Sequence, residues 1–274
     1  MKPVPLTLIC ALPSEARPLI RHFALREVES RPFRLLTKDH ISLLVSGVGA
    51  HASACAVGYA AGRLRRDRSS VWLNVGIAGH ASLPLGSAVL AGCISHTNSD
   101  IRYYPGLCIR TALPVAPVLS HDEPVSNYPD EACCDMEAAG FMAATARIAD
   151  PDLVQVIKVI SDNSHSPLDA INREMVEGLV TGCLTAVDEV AAELRALAAR
   201  LPSAPDYSPL DALCEQVHFT ATERELLQRH YARWQVISED APWPAAALST
   251  CGNASAVLGF LQAQLAALSA IETP

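Results

Sequence analysis

The stretch VWLNVGIAGH, residues 71–80, consists of an apolar run of strand length followed by a segment with two glycines. Three more runs have this form, and each is followed by glycine, serine or an acidic residue and then by a helix-like segment. The predicted strands are residues 4–10, 41–45, 71–75 and 153–160. Because these runs are almost continuously hydrophobic, they indicate strands buried on both faces of a largely parallel sheet, with helices flanking it.

Weaker patterns complete a predicted α/β domain over residues 1–200. Two further strands and three helices are predicted at residues 86–94, 113–120, 50–66, 137–149 and 171–199. The segment LPSAPDYSP, residues 201–209, then holds three prolines in nine residues, which predicts a linker. Residues 201–274 are predicted to form a helical C-terminal extension of unknown role, in which Thr220 and Glu223 have capping-box spacing.

The composition limits the classes of protein to which the chain can belong. A chain of 274 residues with 50% hydrophobic and 18% charged residues buries a sizeable core. The formal net charge of −8 gives no electrostatic basis for binding nucleic acid or an anionic membrane, so neither is an expected partner. The nine cysteines are an odd number without a CxxC pair, which indicates a reducing, cytoplasmic setting. Because no Cys or His cluster has ligand spacing, no metal is expected.

Candidate site residues follow the predicted strands, because the ligand of an open α/β sheet lies beyond the carboxyl ends of its strands. The four strand ends are ALPSEA with Glu15, SGVGA, NVGIAGH, and SDNS with Asp162. Glycines in these segments let the backbone approach a ligand and leave N–H groups free to bind it, although short glycine pairs more often only make a turn. Glu15 can equally favour the start of a helix, and Asp162 can equally be a helix N-cap.

The segment CCDMEAAGFM, residues 133–142, places Glu137 at the start of an alanine-rich helix pattern. An ionised carboxylate at that position accepts two hydrogen bonds, and the vicinal hydroxyls of a ribose present two donors. Met136 offers a soft apolar surface on which a sugar or a base can lie. The alternative is that Asp135 and Glu137 are solvated acids of the first helical turn.

Four short motifs in this order, SGVGAHASA, NVGIAG, DMEAAG and VISDNS, resemble the nucleoside phosphorylase family, in particular its methylthioadenosine/S-adenosylhomocysteine nucleosidase branch. The resemblance covers about residues 4–195 and implies a three-layer, nucleoside-phosphorylase-like α/β fold around a mixed, barrel-like central sheet. It also implies a homo-oligomer, with a dimer as the expected state, and a small-molecule purine nucleoside as the ligand.

The resemblance further assigns roles to residues of the motifs. Glu137 would bind the 2′ and 3′ hydroxyls of the ribose, with Met136 packed on the sugar. Asp162 would protonate N7 of a purine leaving group with Ser161 steering its carboxyl group, and Glu15 would activate the attacking water. The residues expected to line the ribose and base pocket are Val48, Ile77 and Ala78.

The chemistry of N-glycosidic cleavage fits these residue types. Positive charge builds on the ribose and negative charge on the departing base, so Asp162 has to donate a proton while Glu15 has to accept one. The two carboxyl groups therefore need opposite protonation states within one pocket. Residues 113–130 hold no clear counterpart of the family's base-stacking phenylalanine, which leaves the identity of the base open.

Hydrolysis of a methylthioadenosine-like or S-adenosylhomocysteine-like nucleoside, without a cofactor, is therefore the expected activity. The first alternative is a phosphorylase that takes inorganic phosphate as co-substrate, for which Arg17, Arg21 and Arg102 are the candidate phosphate ligands. The second alternative is a non-catalytic nucleoside-binding sensor, which would not need both Glu15 and Asp162.

Overall fold

The computed structural model describes residues 3–129, 131–166, 171–201, 206–237 and 242–271. The chain divides into two compact units, Met1–Pro202 and Ser203–Pro274. Each unit has hydrophobic core clusters of its own, and each is therefore described by itself. All four motifs that carry candidate site residues belong to the first unit.

The first unit contains ten strands and five α-helices among its described residues. The strands are β1 (Leu6–Cys10), β2 (Arg26–Glu29), β3 (Arg34–Lys38), β4 (Ile41–Val45), β5 (Val71–His80), β6 (Ala88–His96), β7 (Ser99–Tyr103), β8 (Val115–Ser120), β9 (Cys133–Asp135) and β10 (Val154–Asn163). The helices are α1 (Pro13–His22), α2 (Ala50–Arg63), α3 (Ala138–Ile148), α4 (Arg173–Gly182) and α5 (Leu184–Ala198).

All ten strands belong to one mixed sheet, in the order β10-β6-β8-β9-β5-β1-β4-β3-β2 with β7 paired to β6. Strand β10 also pairs with β5, so β5, β10, β6, β8 and β9 close into a five-stranded, barrel-like ring. Five of the described strand pairings are parallel and five are antiparallel. The predicted mixed, barrel-like sheet is therefore confirmed. The four apolar runs pair in parallel with one another as expected, β1 with β4 and β5, and β5 with β10. The sheet as a whole is not largely parallel, because each antiparallel pairing involves β2, β3, β6, β7 or β9, which lie outside those four runs.

Strands β5 and β10 are longer than predicted, because each continues through its site motif. Strand β5 covers all of residues 71–80, so NVGIAGH is the end of a strand and not a turn. All ten residues of β10 are buried, and its register against β5 shifts between Ile160 and Asp162. Such bulges re-aim side chains next to functional sites. Asp162 thus lies within a strand, and the alternative that it is a helix N-cap is wrong.

Helices cover the sheet on two sides, which gives the predicted three-layer arrangement. Helices α1, α4 and α5 lie on one side, where the core cluster includes Leu8, Leu43 and Leu73. Helices α2 and α3 lie on the other side, with a second cluster that includes Trp72 and Phe141. The neighbours Trp72 and Leu73 enter different clusters because successive side chains of a strand point to opposite faces.

The single helix predicted at residues 171–199 is divided at Cys183. Helix α4 ends at Gly182, and Cys183 takes a non-helical φ of −99° and ψ of 2° before α5 begins. Glycine weakens a helix, and the division lets Val180 of α4 and Val187 of α5 enter the same core cluster. The sequence does not predict β2 or β7, since their residues are mostly exposed and show no apolar run.

The second unit consists of helices among its described residues. They are α6 (Asp211–Gln216), α7 (Ala221–Ile237), α8 (Ala245–Leu248) and α9 (Ala254–Ile271). The N–H of Thr220 donates to Glu223 Oε2 at 2.9 Å, and the N–H of Glu223 donates to Thr220 Oγ1 at 3.3 Å, which confirms the predicted capping box. Across both units, no described helix is long and apolar enough to cross a membrane.

Candidate active site

One pocket of the first unit contains all eight residues that were proposed to bind or cleave the nucleoside. It encloses about 610 Å³ of space, which includes solvent at its open side. The proposed residues that line it are Glu15, Val48, Ile77, Ala78, Met136, Glu137, Ser161 and Asp162. The strands therefore bring together residues from all four motifs, whose individual roles remain predictions.

Glu15 lies in the first turn of α1, and only 2% of its surface is exposed. Its Oε2 accepts hydrogen bonds from the N–H groups of Ala11 and Leu12 at 2.9 and 2.8 Å. Its Oε1 accepts a third from the N–H of Ile77 at 2.9 Å. Burial raises the pKa of Glu15 above its ordinary value, although the ammonium of Lys158 and the backbone donors act in the opposite direction. Glu15 thus both accepts the backbone N–H groups in front of α1 and contributes its carboxylate to the pocket lining.

A buried lysine that none of the motifs indicated lies beside the carboxylates of Asp135, Glu137 and Glu15. Lys158 belongs to β10, is 1% exposed, and has its Nζ 2.7 Å from Asp135 Oδ2. Burial acts to lower the pKa of Lys158, but the carboxylates of Asp135, Glu137 and Glu15 raise it above its ordinary value. Lys158 is therefore a fixed positive charge. The signal in the sequence is a single lysine inside an apolar run that is too hydrophobic to be exposed.

Asp135, at the end of β9, holds this lysine in place. Its Oδ1 accepts the hydroxyl of Ser120 at 2.6 Å, and its Oδ2 accepts the N–H of Ala138 at 2.8 Å in addition to Lys158. Burial acts to raise the pKa of Asp135, but Lys158 and these hydrogen bonds outweigh it and lower that pKa. The alternative that Asp135 and Glu137 are solvated is wrong, because both side chains are buried.

Glu137 precedes α3, and its carboxylate reaches the backbone in front of α2. The N–H of Gly49 donates to Glu137 Oε1 at 2.8 Å. Gly49 has a φ of 103°, a conformation that glycine adopts without strain. Burial raises the pKa of Glu137, with Lys158 acting against it. Because each carboxylate oxygen has two lone pairs, Glu137 keeps the capacity to accept hydroxyl groups of a ligand.

Asp162 is buried, and both of its carboxylate oxygens accept a hydroxyl hydrogen bond. Ser161 donates to Oδ1, and Tyr128 donates to Oδ2. Tyr128 also lines the pocket and comes from the connection between β8 and β9. It is the one aromatic residue between positions 113 and 130, where the sequence analysis found no counterpart of a base-stacking phenylalanine. That isolated aromatic side chain was the signal available in the sequence.

Two glycines of β5 make room for these polar side chains. A Cβ atom at Gly76 would lie 2.9 Å from Glu15 Oε1. A Cβ atom at Gly79 would lie 2.3 Å from Tyr128 Cε1 and 2.6 Å from Asp162 Oδ2. The glycines of NVGIAGH therefore allow the side chains of the site to approach the strand closely, and they do not form the turn that short glycine pairs usually indicate.

The pocket is strongly acidic. Its described lining contains five carboxylates, and it contains no arginine or lysine. These carboxylates belong to Glu15, Glu123, Asp135, Glu137 and Asp162. Such a surface disfavours an anionic ligand and favours a ligand that gains positive charge.

The cations proposed as phosphate ligands are not part of this lining. Arg17 and Arg21 pair with Glu177 at 2.5 and 3.9 Å, and Arg102 is an exposed residue of β7. Within the described ranges, no group of three or more His, Cys, Asp or Glu side chains is arranged to hold a metal ion.

Known structures resemble the fold on which this pocket is built. The methylthioadenosine/S-adenosylhomocysteine nucleosidase of Helicobacter pylori superposes with a TM-score of 0.60 at 13% identity, over 70% of this chain and 100% of its own. The corresponding nucleosidase of S. pneumoniae gives 0.57 at 18% identity, over 71% and 100%. The futalosine hydrolase of Helicobacter pylori gives 0.58 at 13% identity, over 69% and 98%. A scan against models of protein families found no match, and neither did a search of curated proteins.

The chain therefore has the fold of these nucleosidases and of this hydrolase, as the resemblance of the four motifs predicted. They are matched over nearly their whole length, whereas about 70% of this chain is covered.

Proposed function

We propose that the chain hydrolyses the N-glycosidic bond of a purine nucleoside, with a methylthioadenosine-like or S-adenosylhomocysteine-like compound as the expected substrate. The observation that carries this proposal is that Glu15, Glu137 and Asp162 line one buried, acidic pocket. Hydrolysis needs a base for water, a holder for the ribose and an acid for the leaving group, and three carboxyl groups can meet these needs. The likeness of the fold to nucleosidases supports the same activity.

Glu137 would hold the sugar. Its Oε1 is fixed by the N–H of Gly49, so its carboxylate is already oriented before a ligand arrives. The 2′ and 3′ hydroxyls of a ribose would donate to this carboxylate, while Met136 and Val48 supply apolar contact from the same lining. Holding the ribose in one orientation aligns C1′ with the attacking water.

Glu15 would act as the general base. It would take a proton from water as the water oxygen bonds to C1′ and the C1′–N9 bond breaks, with the electron pair of that bond leaving on the base. Burial raises the pKa of Glu15 and with it the affinity of the carboxylate for a proton, while the positive charge of Lys158 acts in the opposite direction and favours the ionised form. This balance suits a base, because proton transfer is most efficient when the pKa lies near the working pH.

Asp162 would donate a proton to N7 of the purine, so that the base leaves as a neutral molecule. The hydroxyl of Ser161 fixes Oδ1 and thus the plane of the carboxyl group. To donate, Asp162 must carry a proton in the complex, which makes its state opposite to that of Glu15. General acid catalysis of this kind contributes about 10²–10⁴-fold in rate.

The charge of the pocket favours water over phosphate as the nucleophile. With Asp162 protonated and Asp135 paired with Lys158, the carboxylates of Glu15, Glu123 and Glu137 would stabilise the positive charge that develops on the ribose, and they would repel a phosphate anion. The N–H groups of Ala11, Leu12 and Ile77 are already bound to Glu15, so they do not form a free anion site.

The experiment that tests the proposal is purine release from methylthioadenosine, S-adenosylhomocysteine, adenosine, inosine and guanosine, with and without phosphate. We expect free sugar irrespective of phosphate, identified by mass. Phosphate-dependent formation of a sugar 1-phosphate would make the protein a phosphorylase. Binding of nucleosides without any release would favour the sensor. If the protein neither binds nor cleaves any of these nucleosides, a nucleoside function is refuted.

Two substitutions test the assigned roles. Asp162→Asn should reduce turnover by about 10²–10⁴-fold and leave nucleoside affinity largely intact, whereas Asp100→Asn on the exposed strand β7 should change neither. Glu137→Gln should weaken nucleoside binding about tenfold, because it removes a charged acceptor for the ribose hydroxyls. Glu131→Gln, at an exposed acid of the same segment, is its control.

We further propose a homodimer in a reducing, cytoplasmic setting. The nine cysteines are all free in the structure, which agrees with a reducing environment. The mass of the particle in solution, measured by light scattering, tests the dimer against a chain mass of 29.2 kDa.

A further inference from the structure

Tyr128 makes a contact that the proposed reaction does not use. Its phenol donates a hydrogen bond to Oδ2 of Asp162, and only 9% of the residue is exposed. Among the described residues of the segment 123–129, this is the only hydrogen bond. The side chain of Tyr128 therefore attaches this segment to the carboxyl group that is proposed to protonate the leaving group.

The aromatic ring of Tyr128 takes up space at the same end of the pocket. The Cβ position at Gly79 is 2.3 Å from Tyr128 Cε1 and 2.6 Å from Asp162 Oδ2, so the ring and the carboxylate oxygen meet over one glycine. A planar base that bonds to Oδ2 would have to come within about 3 Å of that oxygen. It would then overlap with the phenol.

The other oxygen of Asp162 bonds to its neighbour in the chain. Oδ1 accepts the hydroxyl of Ser161, which is itself buried. Because each carboxyl oxygen has two lone pairs, these two hydrogen bonds do not by themselves exclude a purine. The obstacle at Oδ2 is the space that the ring of Tyr128 takes up, so the phenol has to move before N7 can reach that oxygen.

We propose that Tyr128 occupies the base end of the pocket in the free protein and that the entering purine displaces it from Asp162. Displacement removes the phenol donor from Oδ2 and puts purine N7, an acceptor, in its place. Asp162 takes up a proton from solvent as the base enters, and that proton lies between Oδ2 and N7. Tyr128 thereby sets the affinity for the base, since each binding event has to break a hydrogen bond to a charged group. This inference rests on the proposed function, because it takes Asp162 as the group that meets the base.

The test is the affinity of Tyr128→Phe for the free bases adenine and hypoxanthine, measured by calorimetry. This variant keeps the ring but loses the bond to Asp162, so the dissociation constant should fall about tenfold relative to the natural protein. KM for a cleaved nucleoside should fall by a similar factor, with kcat within about twofold. Tyr128→Ala, which also removes the ring, should bind the bases at least as tightly as Tyr128→Phe.

A matched control is available elsewhere in the first unit. Tyr59 donates its phenol to Glu29 Oε2, and neither residue lines the pocket. Tyr59→Phe removes the same kind of bond and should leave the affinity for the bases unchanged.

Several outcomes would overturn the displacement. Unchanged or weaker base affinity in both Tyr128 variants, with purine binding intact in the natural protein, would show that Tyr128 is structural. A fall in kcat at constant affinity in Tyr128→Phe would mean that Tyr128 assists Asp162 during the reaction. If no base or nucleoside binds any of the proteins, the proposed function fails together with this inference.

Discussion

At the scale of single residues, the site depends on one buried ammonium group among three buried carboxylates. Lys158 makes its direct contact with Asp135, at 2.7 Å, and the pKa of Asp135 is lowered. For Glu15 and Glu137, burial raises the pKa by more than the positive charge of Lys158 lowers it, so the pKa values of both are raised. The result is a permanent ion pair next to two carboxylates with an increased affinity for protons, which is the property that a general base needs.

The raised pKa of Glu15 predicts where activity is lost in acid. Below that pKa, Glu15 carries a proton and cannot take one from water, so kcat/KM should fall with decreasing pH. Because the pKa is raised, the acid limb should lie above about pH 4.3, the ordinary value for glutamate. A pH–rate profile measures it. A limb at or below the ordinary value would contradict the role of Glu15 as the base.

The ion pair of Asp135 and Lys158 predicts a large effect on stability. Asp135→Asn leaves a buried ammonium without its direct partner, and we expect a loss of about 3–5 kcal/mol in the free energy of unfolding at pH 7. Urea denaturation measures this loss. Because the folded-state pKa of Asp135 is lowered, its contribution is present above the unfolded value of about 3.9 and is lost as the pH falls through the folded value.

The difference between Asp135→Asn and the natural protein should therefore shrink in acid. Glu131→Gln is the control, since Glu131 is exposed in the same segment, and its effect should stay within about 0.5 kcal/mol. An Asp135→Asn protein as stable as the control would show that the pair contributes nothing net.

At the scale of helices and strands, α2 and α3 place two parts of the site against each other. Gly49 precedes α2 and Glu137 precedes α3, and the hydrogen bond between them joins the starts of the two helices. The helices approach closely because Gly140 has no side chain: a Cβ atom there would lie 1.8 Å from the carbonyl oxygen of Ala50. The orientation of Glu137 thus depends on a packing contact between helices.

This contact predicts that Gly140→Ala is damaging. The added methyl group overlaps the backbone of α2, so the helices must separate, and we expect a loss of about 2–3 kcal/mol or more in the free energy of unfolding. Nucleoside binding should weaken as well, because the separation moves Glu137 away from Gly49. Denaturation and calorimetric titration of the folded variant measure the two effects.

Gly58→Ala in α2 is the matched control for Gly140→Ala. An added Cβ atom at Gly58 meets nothing within 4 Å, so alanine should stabilise the helix by about 0.5–1 kcal/mol. Equal effects of the two substitutions would contradict the packing explanation.

At the scale of the whole molecule, the two units have separate hydrophobic cores. The first unit contains both clusters that surround the sheet, and all described residues of the pocket lining belong to it. The second unit has a cluster of its own, with Trp234 and Tyr231 among its buried residues. A unit with its own core and with a complete pocket has the features of an independently folding domain.

We therefore predict that a chain ending at Leu201 folds and binds nucleosides with nearly unchanged affinity. The proposed catalytic residues all precede this position, and the core clusters of the first unit remain intact. A cooperative thermal transition and calorimetric titration test the prediction. Loss of cooperative folding, or a tenfold loss of affinity, would mean that residues 203–274 contribute to the first unit.

The sequence by itself determined the strands that lead into the site and the residues that follow them. Hydrophobic runs predict β1, β4, β5 and β10 because a buried strand needs continuous apolar surface, and these patterns are local. The family resemblance also named eight residues, all of which line one pocket. The strand ends alone indicated Glu15 and Asp162, because the carboxyl ends of neighbouring parallel strands meet at one edge of a sheet.

The partners of the buried charges were decided only by the tertiary structure, whereas the closure of the barrel was implied by the family resemblance but by no local pattern. The pairing of β10 with β5 joins segments about 80 residues apart, and no local pattern encodes it. In the sequence, Lys158 is an isolated charge within an apolar run. Only the fold places Asp135 of β9 beside it. The position of Tyr128 in the site likewise depends on its hydrogen bond to Asp162 and on the space over Gly79, which are both contacts with distant segments. Contacts between distant segments depend on how the elements pack, and sequence periodicity does not report packing.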